Sequence, residues 1–196
     1  MSTSEPPPSP AAPDSAAVLA ATREWLEKAV IGLKLCPFAK TAYVSGRVHM
    51  VVSMATTLDD LVDALATELI SLGDADPGQR ETTLLIHPFV LGDFLDYNEF
   101  LDLADQTVEA VHLTGDIQVA SFHPDYQFAG TKADDISNFT NRSPYPMLHL
   151  LREASIAAAV ASCPDVDDIP ERNIATLRGL GHAGWAALFS KISAAP

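Results

Sequence analysis

Two segments of this chain close on the same pair of residues. One reads LLIHPF and ends on His87 and Pro88; the other reads ASFHPDYQF and runs out through His123 and Pro124. In each, an apolar run suited to a strand stops at an imidazole, and the proline fixes the direction of the chain just beyond it. Imidazole titrates near neutral pH and serves as acid, base or metal ligand. Asp125, two residues past His123, has the type and spacing to fix the ring's tautomer and to stabilise its charged form. Tyr126 follows and is grouped with the substrate-binding residues. His-x-Asp also has the residue types of a metal pair, and Pro-Asp is ordinary turn chemistry. For one such histidine taken alone, the plainer reading is a hydrogen-bonded structural residue.

Residues 138–152 read NFTNRSPYPMLHLLR. Pro146 suits the first position of a helix, where its missing N–H costs least. A helix start offers free N–H groups and the positive end of the dipole. Arg142 beside such an end makes a pocket for a carboxylate or phosphate, with Asn141 and Ser143 adding hydrogen bonds. The alternatives are an Arg142 paired with Asp134 or Asp135, and a Ser143 that only caps the turn. His149 and Glu153 fall one turn apart on the expected helix. They have metal-ligand types, but the exposed side of an amphipathic helix accounts for them more simply.

Cys36, in LKLCPFAK, is the candidate nucleophile. It falls at the C-terminus of an expected helix, where the dipole disfavours a thiolate, so activation needs a nearby imidazolium. Otherwise Cys36 is a small buried apolar residue. Cys163, also before a proline, is read as structural. The chain lacks a Walker phosphate loop, H-E-x-x-H, G-x-S-x-G and C-x-x-C. GLGHAG near the C-terminus follows a helix rather than a strand, which is the wrong context for dinucleotide binding.

These residues need a scaffold. Residues 1–15 carry Pro6, Pro7, Pro8, Pro10 and Pro13 and read as a disordered tail. Residues 16–196 read as one α/β domain. Helices are expected over 16–35, over 57–72 from a Thr57–Asp60 capping box, and from Asp96 with Glu99 to about 111. A further helix is expected from Pro146 to about 162, and two short ones end the chain, broken near Gly179. Strands are expected over 47–54, 82–87 and 117–122. Strands alternating with helices predict a mainly parallel sheet of at least three strands covered by helices, with a ferredoxin-like mixed sheet as the alternative. In an open parallel sheet, ligands bind beyond the carboxyl ends of the strands. His87 and His123 are therefore expected at one edge, with Cys36 and Arg142 approaching it. Residues 124–145 have little periodicity, and a polar loop of that length suggests function.

Composition narrows the classes. The chain has 196 residues, 47% of them hydrophobic, enough to bury a core without cross-links. Twelve Lys and Arg against 26 Asp and Glu give a net charge of −14. With no basic stripe, nucleic acid and anionic membrane surfaces are unexpected partners. Two cysteines make no disulfide framework. The first residues lack a basic and an apolar region, and no apolar run is long enough to span a bilayer, so the cytoplasm is expected.

WLEKAVIGLKLCPFAK, LLIHPF, VASFHPDYQF, NRSPYPMLHLLREAS and IPERNIATLRGLG, in that order, resemble an uncharacterised bacterial protein family, domain of unknown function 1415. The resemblance runs from about Arg23 to Gly181. Its recurrent blocks correspond to residues 36–38, 123–128 and 141–146. It implies no particular reaction, substrate or cofactor.

Three functions remain. The first is an enzyme of hydrolysis or group transfer on a small anionic metabolite. Its catalytic residues are His123, Asp125 and Cys36, and Arg142, Asn141, Ser143, His87 and Tyr126 bind the substrate in the same cleft. No metal or cofactor is expected, because the candidate ligands lack a closed-site spacing. The second is a protein holding zinc, iron or haem through His87, His123 and Cys36. The third is a non-catalytic module whose polar loop docks a protein partner.

Overall fold

Leu61, Leu65, Leu69 and Leu72 recur at helical spacing, and the run TTLLI is apolar or β-branched throughout. In the computed structural model, which describes residues 14–162 and 165–190, the four leucines are fully buried on one face of α3 (Leu58–Asp74). TTLLI forms β2 (Thr82–Ile86), buried along its whole length. Residues 1–13 of the expected tail and Cys163 lie outside the described residues. Thr57 caps α3 as its spacing predicts. Its hydroxyl oxygen accepts from the Asp60 N–H at 3.2 Å and donates to the Asp60 carboxylate at 2.7 Å.

The chain opens with α1 (Ser15–Trp25), which widens into a π-helical turn over Leu26–Ile31. Gly32 follows, and a Cβ there would lie 2.3 Å from the Lys28 carbonyl oxygen, so the position has room only for glycine. The regular helix is thus shorter than the 16–35 span expected, and Cys36 sits in the corner before α2 (Ala39–Val44). β1 (Val48–Val52) leads to α3, and β2 leads to α4 (Phe94–Ala110). Asp93, not Asp96, caps α4, its carboxylate accepting from the Leu95 and Asp96 N–H groups. β3 (Ile117–Phe122) follows.

The expected helix from Pro146 is replaced by a strand, β4 (Met147–Arg152), and only then by α5 (Glu153–Ser162). Met147, Leu150, Leu151 and Ala154 fit a helical face, and Leu148 and Leu150 fit one side of a strand. A short apolar run satisfies both periods, and tertiary pairing decides between them. β4 is paired on both sides. Leu148 lies opposite Leu85 of β2 and opposite Ser121 of β3. The last helix, α6 (Ile169–Phe189), is broken at Gly181, whose φ of 65° and ψ of 174° separate two helical pieces.

The sheet is therefore mixed rather than mainly parallel. Its order is β1-β2-β4-β3, with β1 and β2 parallel and β4 antiparallel to both its neighbours. β2 and β3 still point the same way, because each opposes β4. A mixed sheet was the alternative expectation, but the β-α-β-α-β-β succession is not the β-α-β-β-α-β of a ferredoxin-like fold. Both faces are covered. α3 and α4 pack on one, against Leu85, Ile117, Leu148 and Leu150. α1 and its π-helical turn pack on the other, against Leu84, Ile86 and Met147. Among the described residues no helix is long and apolar enough to cross a membrane.

Candidate functional site

β2 and β3 end at the same edge, on either side of the start of β4, and His87 and His123 stand there. Both rings pack on Tyr97 of α4, with centroids 5.8 and 5.0 Å away. The Tyr97 hydroxyl accepts from the Phe122 N–H at 3.0 Å and donates to the Met147 carbonyl at 2.9 Å, so it joins β3 to β4 where the ladder ends. His87 Nδ1 bonds the Val90 carbonyl at 3.1 Å, and His123 Nε2 bonds the Leu91 carbonyl at 3.1 Å. Carbonyls only accept, so both nitrogens carry protons. His123 Nδ1 accepts in turn from the backbone N–H of Asp125 at 3.0 Å. Asp125 thus reaches the ring through its main chain, while its side chain is exposed. The two histidines hold the loop before α4, in which Leu91 adopts a φ of 59°. Burial pushes His87 down to about 4 and lowers His123 as well, so both rings are neutral at pH 7.

Residues 124–145 are packed onto this edge by buried side-chain amides and backbone bonds. Asn141 donates to the Ser121 carbonyl, and its own carbonyl receives the His123 N–H. Ser143 Oγ donates to the Tyr145 carbonyl. Arg142 donates to the Tyr126 and Ala133 carbonyls at 3.1 and 2.7 Å, and its guanidinium lies over the Phe139 ring. Tyr126 packs between Phe94 and Phe128. Fully buried Asn138 accepts from the Phe128 N–H and the Thr131 hydroxyl and donates to the Lys132 carbonyl. Asn138→Ala leaves these groups without their partner and should cost about 2 kcal/mol. Urea unfolding measures that loss, and faster hydrogen exchange at the Phe128 amide localises it.

Cys36 is not part of this group. It packs on the opposite face of the sheet, against the apolar cluster that includes Trp25, Leu26 and Val30. The structure does not bring Cys36 together with His123, because the Cys36 side chain packs on the α1 face of the sheet and the His123 ring packs against α4 on the other. Cys36 instead lines a cavity of about 330 Å³ between the sheet, the end of α1, α2 and α5. Its walls are mostly apolar, including Trp25, Leu26, Val30, Phe122 and Ile156. His149 of β4 stands in its floor, where burial pushes it down to about 4 and leaves it neutral. Its Nε2 lies 2.7 Å from Thr82 Oγ1. A wider hollow of about 910 Å³ adjoins the cavity, sharing Phe38, Glu81, Arg152, Ser155 and Ala159 with it, and small residues of α5 form one wall.

Sequence reasoning missed His149 as a cavity residue, because a helix from Pro146 would have placed it on an exposed side. The signal available was the unbroken run MLHLLR, which suits a strand buried on both faces. Among the described residues, the buried side-chain N and O atoms without a hydrogen-bond partner are Trp25 Nε1, His87 Nε2 and Glu81 Oε2; the last is 2.7 Å from Arg47 Nη1. No group of three or more His, Cys, Asp or Glu among the described residues is arranged to hold a metal ion.

Fold and site together define a mixed-sheet α/β protein with clamped histidines at one sheet edge and an apolar cavity on one face. Residues 17–187 match the model of the family described as protein of unknown function DUF1415, and the chain belongs to that family. No curated protein and no solved structure matches the chain.

Proposed function

We propose that this protein binds a small organic molecule in the cavity on the α1 face, its apolar body against Trp25, Leu26 and Val30 and a polar group at His149. The observation that carries the reading is the largely apolar hollow of about 330 Å³ with a neutral imidazole in its floor. Ligand sites have this make-up: a few hundred Å³, apolar walls and a small number of placed polar groups. The π-helical turn that supplies Leu26 and Val30 supports it, since such turns are frequent at functional sites. Both ring nitrogens of His123, and the Nε and one Nη of Arg142, are committed to backbone groups, which favours a structural role for them over an anion site.

The chain has two tryptophans, so Trp185→Phe leaves Trp25 as the only one. Titrating that variant with non-fluorescent cyclic alcohols, amides and hydrocarbons should give a saturable change in Trp25 emission for some of them. Ala159→Leu fills the cavity from α5 and should abolish the response while circular dichroism is unchanged. No response to any compound, or one untouched by Ala159→Leu, overturns the reading.

Catalysis is a second reading, favoured by one observation: the Cys36 thiol and the His149 imidazole line the same volume. Cys36→Ser separates the two. It leaves binding intact under both and removes turnover only under the second.

A further inference from the structure

The cavity's polar floor fixes which end of a hydrogen bond a ligand must bring. Thr82 has one hydroxyl proton. Its Oγ1 lies 2.6 Å from the Leu150 carbonyl oxygen and 2.7 Å from His149 Nε2. The carbonyl can only accept, so the proton goes to it, and His149 Nε2 must donate to the hydroxyl oxygen. A neutral ring protonated at Nε2 carries a bare lone pair at Nδ1. Among the described residues no donor meets Nδ1, and Nδ1 is not one of the sealed, partnerless atoms, so it opens on the cavity.

Arg152 also lines the cavity; its Nε and one Nη donate to the Leu72, Ala75 and Arg80 carbonyls, and no partner meets its other Nη among the described residues. Trp25 Nε1 is sealed within its wall. Glu81, also on the lining, is a further acceptor and is held by Arg47.

Resting on the ligand-binding reading above, we propose that the cavity selects neutral molecules that present an N–H or O–H from an apolar ring or chain to His149 Nδ1. It rejects isosteres lacking that proton. This reverses the anionic ligand expected from Arg142. A site built around one hydrogen bond discriminates strongly against the analogue that cannot make it, because the site's own polar atom is then desolvated without a partner.

The test uses two bicyclic probes of nearly equal shape: indole, which carries an N–H, and benzothiophene, which does not. With ¹⁵N-histidine-labelled protein, NMR should show His149 protonated at Nε2 before any ligand is added. Indole should bind at least about tenfold more tightly than benzothiophene and shift the Nδ1 resonance. His149→Phe should erase the preference while benzothiophene still binds. Three results overturn the proposal: a free protein with the Nδ1-protonated tautomer, equal affinity for the two probes, or an indole preference that survives His149→Phe. Equal binding of both probes leaves the cavity a ligand site and removes only its selectivity. Binding of neither removes the ligand-binding reading too. The tautomer measurement needs no variant, so the proposal stays exposed to failure even if His149→Phe does not fold.

Discussion

Lowering the pH from 6.5 to 4 should cost the folded protein about 6 kcal/mol, roughly 3 kcal/mol from each of His87 and His149. His87 is buried and His149 half-buried, and loss of solvent pushes each from 6.5 to about 4. Between those values the unfolded chain takes up two protons that the folded chain refuses. Stability is therefore full above pH 6.5, falls as the pH drops, and loses nothing more to these two groups below about 4. His123 and His49 are lowered in the same direction, with burial the first cause, and steepen the fall. Against a typical total of about 5–15 kcal/mol, the loss is enough to unfold the protein in mild acid. Urea unfolding at a series of pH values measures it. Carboxylates titrate mainly below pH 5, so the decisive interval is pH 6.5 to 5. There the double variant His87→Gln, His149→Gln should lose most of the slope. A wild-type stability flat across that interval would mean that both rings protonate without disturbing the fold.

The local geometry supports that outcome. A proton added to His87 Nε2 has no acceptor, since that atom is buried and without a partner. A proton added to His123 Nδ1 displaces the Asp125 N–H that now bonds it. Each event loosens the loop in which Leu91 holds its left-handed backbone.

The same contacts show what a linear sequence does and does not reveal. The shared edge of His87 and His123 was legible, because each ends an apolar run and strands that point the same way end at the same side. That Asp125 meets His123 through its backbone was also within reach, since a Pro-Asp turn was one of the readings available. The partners of the two rings, the Val90 and Leu91 carbonyls, come from a loop whose path depends on how α4 docks. β4 was not legible. MLHLLR fits both periods, and only its place between β2 and β3 makes it a strand. That one reassignment turns the sheet from parallel to mixed and moves His149 from an exposed helix face to the floor of a cavity. The separation of Cys36 from His123 has the same origin. Nothing local in LKLCPFAK says on which face of the sheet α1 will pack. That choice is made by Val18, Trp25, Leu26 and Ala29 burying themselves against Leu84, Ile86 and Met147.

Arg152 gives the second large effect. It is the last residue of β4, opposite Ile117 in the register. One of its Nη atoms lies 2.5 Å from the Leu72 carbonyl oxygen and 2.6 Å from that of Ala75, where α3 ends. Its Nε also points to the Arg80 carbonyl, on the approach to β2. A fixed cation thus sits on the negative end of α3's dipole and ties the helix, the loop after it and the sheet together. Hydrogen bonds from a charged donor are worth more than neutral ones. Arg152→Ala should therefore cost about 3 kcal/mol, a fall in Tm of about 6–12 °C for a chain of this size. Arg152→Lys keeps the charge but replaces a planar fork by a single point, so it should lose about half as much. A calorimetric scan of the wild type and the two variants gives both numbers. A loss under about 1 kcal/mol for Arg152→Ala would show that water from the adjoining hollow satisfies the three carbonyls as well as the guanidinium does. Equal losses for Ala and Lys would show that the fork geometry, not the charge, is what α3 requires.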